Sequence, residues 1–494
     1  MKNKKLLLWL LIGAMLAPTL VACGGGESSS ENKTAETTAA NASVTEAETT
    51  AFNPFEGIPE GDFKGYDVRM LIRPYEDWIA DMYVEEATGE VLNDAVFERN
   101  SLVGERYNVS FSYSPSSSSN YETDAVNTIL AGDDAYDIIV PHMRAGHVYA
   151  NQNLVLDWNT KLPNVRLDKE WWSQDCVSSF SINHKLYVML GDISWCALGS
   201  ANCMIFNKAM FKDRGLTAPY ADAAAGTWTW DKWAALTIGA GKDVNGDGKM
   251  DIEKDEFGYV TQKWLGPIQV FTSSGLRVCD KDKNDIPYLS YYSEKTVEVF
   301  NKFFDILLSN DAFCDMGSTS YTAGYLKAFI EERALFADMN MVNVRAMREM
   351  DADFGVIPWP KWQESDEYMT NVDGGTNVFV IPITMKDPEM LSTVLEALAA
   401  VGYDKVIPAF YEVTLKGKGS RDSESEAMLD IVRDSRILDL GYNNTSLGGT
   451  FANEFETFAD NNFAKGRDIA SHYAENKDTV ESKLKETLTA EAYK

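Results

Sequence analysis

Histidine is nearly absent, with 4 residues in a chain of 494. A His-rich metal centre is therefore all but excluded, and His142 and His147, five apart, suit neither a zinc pair nor a catalytic triad. Cysteine is sparse too: 6 residues are too few for a disulfide framework at this length. Cys196 and Cys203 are spaced so that a bridge across a short turn is open to them, with free thiols an equal reading. Bases are short against acids, 45 Lys+Arg to 75 Asp+Glu, a formal charge of −30. Nucleic-acid binding draws on basic patches that release counterions, so this balance argues against such a partner. Several enzyme motifs are missing: no G-x-S-x-G elbow, no G-x-x-x-x-G-K-[ST] phosphate loop, no H-E-x-x-H and no C-x-x-C. Ser482 and Lys485 have S-x-x-K spacing, but beside Glu481 and Lys483 on an amphipathic helix they read as a solvated face.

A long membrane-spanning run is also lacking. Residues 6–17 (LLLWLLIGAMLA) are apolar but number only twelve, and Lys2, Lys4 and Lys5 precede them. That is the layout of a secretory signal peptide over residues 1–22. Leu20-Val21-Ala22-Cys23 follows and resembles a bacterial lipobox, in which Cys23 is acylated and becomes the mature N-terminus. Residues 24–61 are Gly, Ser, Thr, Ala and Glu with hardly an aromatic until Phe52. Residues 23–61 therefore predict a lipidated cysteine and a disordered tether. Anchor and leash together imply work at the outer face of a cell membrane, outside the cell.

What is abundant comes later. Hydrophobic residues are 45% and aromatics 12%, with 12 Trp, enough for a large folded body. YDVRMLI (66–72), NVSFSY (108–113) and YDIIV (136–140) predict strands, with helices over 91–107 and near 121–131. KLYVMLGD (185–192), CMIFN (203–207), ALFADMN (334–340), FGVIPWP (354–360) and NVFVIPI (377–383) also predict strands. TWTWDKWAAL predicts a helix with Thr229 as its N-cap. Helices dominate from 387, the last over roughly 466–491 with Ile469, Tyr473, Val480, Leu484 and Leu488 on one stripe. Strands alternating with helices give an α/β class in two lobes with a helical C-terminal part. In parallel sheets ligands sit beyond the carboxyl ends of strands, here carrying Arg73-Pro74-Tyr75-Glu76-Asp77-Trp78 and Pro141-His142.

An ordered set of strings runs from about residue 62 to the C-terminus: TGEVLNDAVFERN (88–100), LDWN (156–159), WW (171–172), HKLYVMLGDIS (184–194), TWTWDKW, NGDGKMD and YEVTLKGKGSRDSESEAMLD (411–430). Together with the lipobox, this set resembles the extracellular solute-binding proteins of family 1, the sugar-binding lipoproteins of ABC importers. The resemblance implies a two-lobe periplasmic-binding-protein-like fold of type II, its lobes joined by hinge crossings and closing over a ligand. On that basis residues 62–195 plus 334–400 form one lobe and 196–333 plus 401–494 the other. It further implies a monomeric, non-enzymatic carrier that binds a carbohydrate, an oligosaccharide first, and hands it to permease subunits. Three alternatives stand beside it: a surface-anchored glycoside hydrolase or lyase, a sensory binding module, and the same fold with a non-sugar solute.

A sugar presents apolar C–H faces and a rim of hydroxyls, so its site needs flat rings and fixed polar partners. Aromatic and acidic residues at strand ends are the candidates: Glu76, Trp78, Asp192, Trp195, Asp338 and Trp359. Trp264 joins them because the resembled family often places a stacking ring there. Trp158, Trp171, Trp228, Trp230 and Trp233 read as structural. Asp243, Asn245, Asp247, Lys249 (by its carbonyl), Asp251 and Asp255 follow the first part of an EF-hand-type loop, with Gly248 at its turn. Lys254 stands where a bidentate acid belongs, so a structural Ca²⁺ competes with a solvated acidic turn. The similar spacing of Asp280, Asp282 and Asn284 reads as a surface turn.

Overall fold

The computed structural model describes residues 52–115, 121–317, 324–350, 353–411, 423–445 and 468–494. The apolar leader, Cys23 and residues 24–51 of the expected tether lie outside them. Residues 52–61 do not behave as a tether. Phe52 packs edge-on to Tyr403, Phe55 on Tyr107, and Ile58 is buried, while Arg166 donates to the Glu56 carbonyl at 2.9 Å. Three apolar anchors in seven residues are enough to dock this stretch on the body.

β1 (Tyr66–Ile72), buried along Met70–Ile72, sits at the centre of a parallel sheet, between β2 (Val109–Pro115) and β3 (Ile138–Val140). α1 (Glu76–Met82) follows β1, and α2 (Val91–Tyr107) leads into β2. The Glu90 carboxylate caps α2 by accepting from the Leu92 and Asn93 amides, and Asn108, with φ of 53°, ends it in the left-handed region. α3 (Tyr121–Leu130) connects β2 to β3.

The second sheet has five strands in the order β10–β4–β9–β5–β8. They are β4 (Asn202–Asn207), β5 (Phe257–Gln262), β8 (Ala312–Asp315), β9 (Ala334–Asn340) and β10 (Phe354–Ile357). Between β5 and β8 a small hairpin pairs β6 (Cys279–Lys281) with β7 (Pro287–Leu289). The Asp282 carboxylate accepts the Asn284 and Ile286 amides in its turn. β9 is parallel to β5 and antiparallel to β4, so β4 begins where β5 and β9 end. All seven residues of β9 are buried, Asp338 and Asn340 included, as expected of a strand covered on both faces.

β9 and β10, which fall in the range 334–400 assigned above to the first lobe, are thus strands of the second sheet. β9 takes ladder bonds from β4 on one side and β5 on the other, so it cannot belong to the first sheet. The chain returns to the first sheet only at 377–382, through single bridges such as Ile139 to Val380. The runs 185–192 and 377–383 do not form ladders of their own. They meet at one doubly bonded pair, Met189 and Phe379, and Pro382 has no N–H to extend the pairing. Helix Pro388–Pro408 then packs on α2, helix Ser423–Asp434 on β10, and the terminal helix Ile469–Thr489 on helix Glu294–Leu307. Helix Trp230–Thr237 begins after Thr229, whose hydroxyl makes no capping bond. The described cysteines, Cys196 and Cys203 among them, are buried and form no disulfide.

Crossings between the sheets run side by side: Ala201 bridges Val372, and Thr370–Asn371 pairs with Arg436–Ile437. A buried polar node locks the first of them. The Asp81 carboxylate accepts from Ser194, the Trp195 amide (2.8 Å) and Asn377 (2.9 Å). The Arg99 guanidinium, fully buried, donates to the Met82, Asp81 and Ile193 carbonyls. Among the described residues no helix is long and apolar enough to cross a membrane.

Candidate functional site

Strand ends of both sheets converge on the crossings. At the end of β1, Arg73 donates through Nη2 to the Gly375 carbonyl and to Asn377 Oδ1 at 3.0 Å. Its guanidinium lies 5.0 Å from the Trp78 ring centre, and Trp78 Nε1 donates to the Gly375 carbonyl at 2.7 Å. Tyr75, 60% exposed, meets Trp78 edge-on at 6.0 Å. Beyond β3, His142 Nδ1 accepts the Arg144 amide at 3.3 Å, which leaves the proton on Nε2. Burial and the two arginines hold this imidazole well below its ordinary range, so it is neutral. The turn Asp373-Gly374-Gly375 fits between these groups. A Cβ at Gly374 would collide with Cδ of Arg144, so that position has no room for a side chain. Asp373 accepts the Gly375 amide at 2.7 Å, and burial raises its carboxyl against the pull of both arginines.

The same turn reaches the second sheet, since the Asp373 amide donates to the Ser200 carbonyl and Met341 to that of Ala201. There β9 ends on Asn340, paired with Asn202 at the start of β4. β5 ends on Gln262, whose Oε1 accepts Trp264 Nε1 at 2.8 Å, and Lys263 covers the half-buried Trp264 ring at 4.6 Å. Several buried polar atoms in these segments have no hydrogen-bond partner: Arg73 Nε, Gln262 Nε2, Asn340 Oδ1, Thr376 Oγ1 and both amide atoms of Asn443. Each such orphan costs about 1–3 kcal/mol. Arg73 and Thr376 stand beside the first sheet and Gln262 and Asn340 at strand ends of the second, while core groups such as Tyr149 Oη and Trp158 Nε1 are unpartnered as well.

The sequence candidates divide. Glu76, exposed in the first turn of α1, and Trp78 stand at the end of β1, and Trp264 at the end of β5. Asp192 lies apart, in a cavity of about 410 Å³ beside the crossings with Ser173, Tyr403, Arg433 and Arg436. Burial pushes its carboxyl up to about 7, Arg436 pulling the other way. Trp195, Asp338 and Trp359, expected at the ligand, are packed inside. Trp195 stacks on Phe410 at 5.1 Å, and Trp359 donates to Asn202 Oδ1 at 2.7 Å within an aromatic cluster with Trp233 and Tyr259. Asp338 is fully buried on the β9 face that Tyr259 and Thr261 of β5 share, and burial raises its carboxyl to about 7. Arg73, Arg144, Asp373, Asn377, Gln262 and Asn340 had no place among the candidates. Position at a strand end was the available signal for Arg73, and polar residues closing apolar strands for Gln262 and Asn340.

The acidic loop presents no cation cage as it stands. Asp243 accepts the Gly246 and Gly248 amides, Asn245 that of Asp247, and Asp247 that of Lys249. Asp255 is buried and accepts the Val244 and Asp251 amides, and the Lys254 ammonium holds Asp251 at 2.6 Å. Among the described residues no three acidic, His or Cys side chains converge as metal ligands.

No protein-family model matches the chain, and no curated protein does. Solved structures do. A cyclo/maltodextrin-binding protein complexed with maltotetraose aligns with TM-score 0.57 at 11% identity, over 87% of this chain and 100% of its own. UspC of M. tuberculosis aligns with TM-score 0.57 at 13% identity, over 84% and 100%. UgpB of Mycobacterium tuberculosis, complexed with glycerophosphocholine, aligns with TM-score 0.55 at 13% identity, over 86% and 99%. At these identities the likeness is one of fold. The chain has the two-lobe α/β periplasmic-binding-protein fold of ABC-transporter substrate-binding proteins.

Proposed function

We propose that this chain is the lipid-anchored substrate-binding component of an ABC importer. It captures a carbohydrate between its lobes at the outer face of the membrane and passes it unchanged to permease subunits. The observation that carries this reading is the set of unpartnered polar atoms on both sheets beside two half-buried rings. Arg73, Thr376, Gln262, Asn340 and Asn443 supply donors and acceptors for hydroxyls, and Trp78 and Trp264 supply flat faces. Ligand contacts made by both lobes at once favour the closed form, which is a shift of an existing equilibrium. Neighbours of this fold solved with maltotetraose and glycerophosphocholine support a hydroxylated solute. Cys23 carries the lipid, and the protein works as a monomer.

A thermal-shift screen against mono- and oligosaccharides tests this. A ligand at 100 times its Kd stabilises the native state by about 2.7 kcal/mol, a readily measured rise in melting temperature. We expect one saccharide class to produce that rise and to be recovered intact by chromatography. Shortened products would make the chain a hydrolase or lyase, and a flat screen would remove carbohydrates as ligands.

A further inference from the structure

We propose that the β6–β7 hairpin and the end of the chain form a latch on the first lobe, which holds the lobes at one separation and releases when they rotate. The claim rests on the two-lobe fold and not on which solute enters the cleft. The catch is the turn Asn183-His184. Ile182 and Lys185 pair across it, and the run leaving it reaches Met189, which pairs with Phe379 beside the first sheet. β6 and β7 lie between β5 and β8 of the second sheet in the chain. The two turns meet tip to tip. The Asp285 carboxylate accepts the His184 amide at 2.8 Å and the Ser181 hydroxyl at 2.9 Å, and the Asp285 carbonyl accepts the Asn183 amide at 3.0 Å. The Lys281 ammonium bonds Asp285 at 2.9 Å and donates to the Ser178 and Ser181 carbonyls, which close helix Gln174–Phe180. This ion pair is largely enclosed, its side chains 16% and 14% exposed.

A second element grips the same turn. The terminal helix packs on helix Glu294–Leu307, yet Tyr493 beyond it is buried against the first lobe. The Tyr493 carbonyl accepts Asn183 Nδ2 at 2.8 Å, its hydroxyl lies 3.2 Å from His147 Nδ1, and the Ala492 carbonyl accepts the Tyr187 hydroxyl at 2.7 Å. Asn183, His184 and Asp285 all hold left-handed backbone, with φ of 50°, 64° and 63°. Glycine fits such positions most readily. At two of them the side chain present instead, Asn183 or Asp285, bonds across to the other element. None of these groups is among those gathered at the cleft. Contacts made at one lobe position and lost at another bias the equilibrium between the two, whatever the ligand does.

Small-angle scattering on the full chain without added sugar tests the latch. Asp285→Gly suits the left-handed backbone, and Lys281→Met removes the ammonium with it, so the double variant deletes the ion pair without stranding a charge. Asn183→Gly likewise keeps its turn and drops the bond to Tyr493. We expect the radius of gyration to leave the wild-type value in the double variant and to move further when Asn183→Gly is added. A smaller radius assigns the latch to the open form, a larger one to the closed form. A lower melting temperature at an unchanged radius would make the contact plain structural support and overturn the latch. Amide hydrogen exchange on the wild type decides the matter even where the variants fail to fold. The Asn183 and His184 amides should exchange together, at least tenfold faster than the Met189 amide of the same lobe. Equally slow exchange at all three would mean that the turn is freed only when the lobe unfolds, which also overturns the latch.

Discussion

Asp338→Asn should change how stability depends on pH and leave ligand affinity alone. Asp338 lies inside the second lobe with no hydrogen bond of ordinary geometry to either carboxylate oxygen. Burial raises its pKa from 3.8 to about 7, only partly offset by the hydroxyls of Thr261 and Tyr259. The native state therefore holds this proton more tightly than the unfolded chain. The stability so contributed is fully present below about pH 4 and is lost as pH rises through about 7. Three pH units at about 1.4 kcal/mol each make the loss about 4 kcal/mol, a large share of the 5–15 kcal/mol typical of a domain. An amide keeps the shape and removes the titration. Urea unfolding of both proteins at pH 5 and pH 8 isolates the effect. Asp192, also raised to about 7, and the buried Asp81 and Asp439 are common to both and cancel. The amide variant should gain on the wild type by about 2.5 kcal/mol between the two pH values, the part of the loss that falls above pH 5. A constant difference would mean that Asp338 is ionised and paired in the native state, and the account of its environment would be wrong.

Three further outcomes are expected. Trp264→Ala and Trp78→Ala should each weaken saccharide binding at least tenfold, about 1.4 kcal/mol, with melting little changed; unaltered affinity in calorimetry would remove the residue from the site. Glu396→Ala should destabilise the fold by about 3–5 kcal/mol in denaturant titrations, because the buried carboxylate accepts from Trp171 (3.1 Å), Trp172 (2.8 Å) and Arg166 (2.7 Å). A loss under 1 kcal/mol would show that water replaces it. Chelator should leave the melting temperature unmoved, since backbone amides and Lys254 engage the carboxylates of the 243–255 loop. A fall on chelation would show that the loop opens to hold Ca²⁺.

Long apolar runs made much of the fold legible. β4 and β9 are buried along their whole length and read as largely hydrophobic stretches, β1 is buried along Met70–Ile72, and α2 shows its buried stripe at Leu92, Ala95, Val96 and Val103. The stripe Ile469, Val480 and Leu484 of the terminal helix was equally plain. Sheet membership was not, because a run such as 334–340 says that it is buried and not which neighbours bury it. The segments 185–192 and 377–383 looked like strands for the same reason, though each is tied by single bridges. At the site, residue chemistry pointed to strand ends but could not sort Trp78 from Trp359. Both follow strands. One ring stays half-buried against Gly375, while the other is enclosed by Trp233, Tyr259 and Asn202. The polar groups left without partners were invisible beforehand, since an orphaned amide is a property of packing.

Small-angle X-ray scattering with and without a saturating saccharide from the thermal-shift screen tests the two-lobe clasp most directly. Closure over a guest held by both sheets predicts a smaller radius of gyration in the loaded protein, reversed when the sugar is dialysed away. The same radius in both states, with binding verified by calorimetry on the same samples, would contradict it.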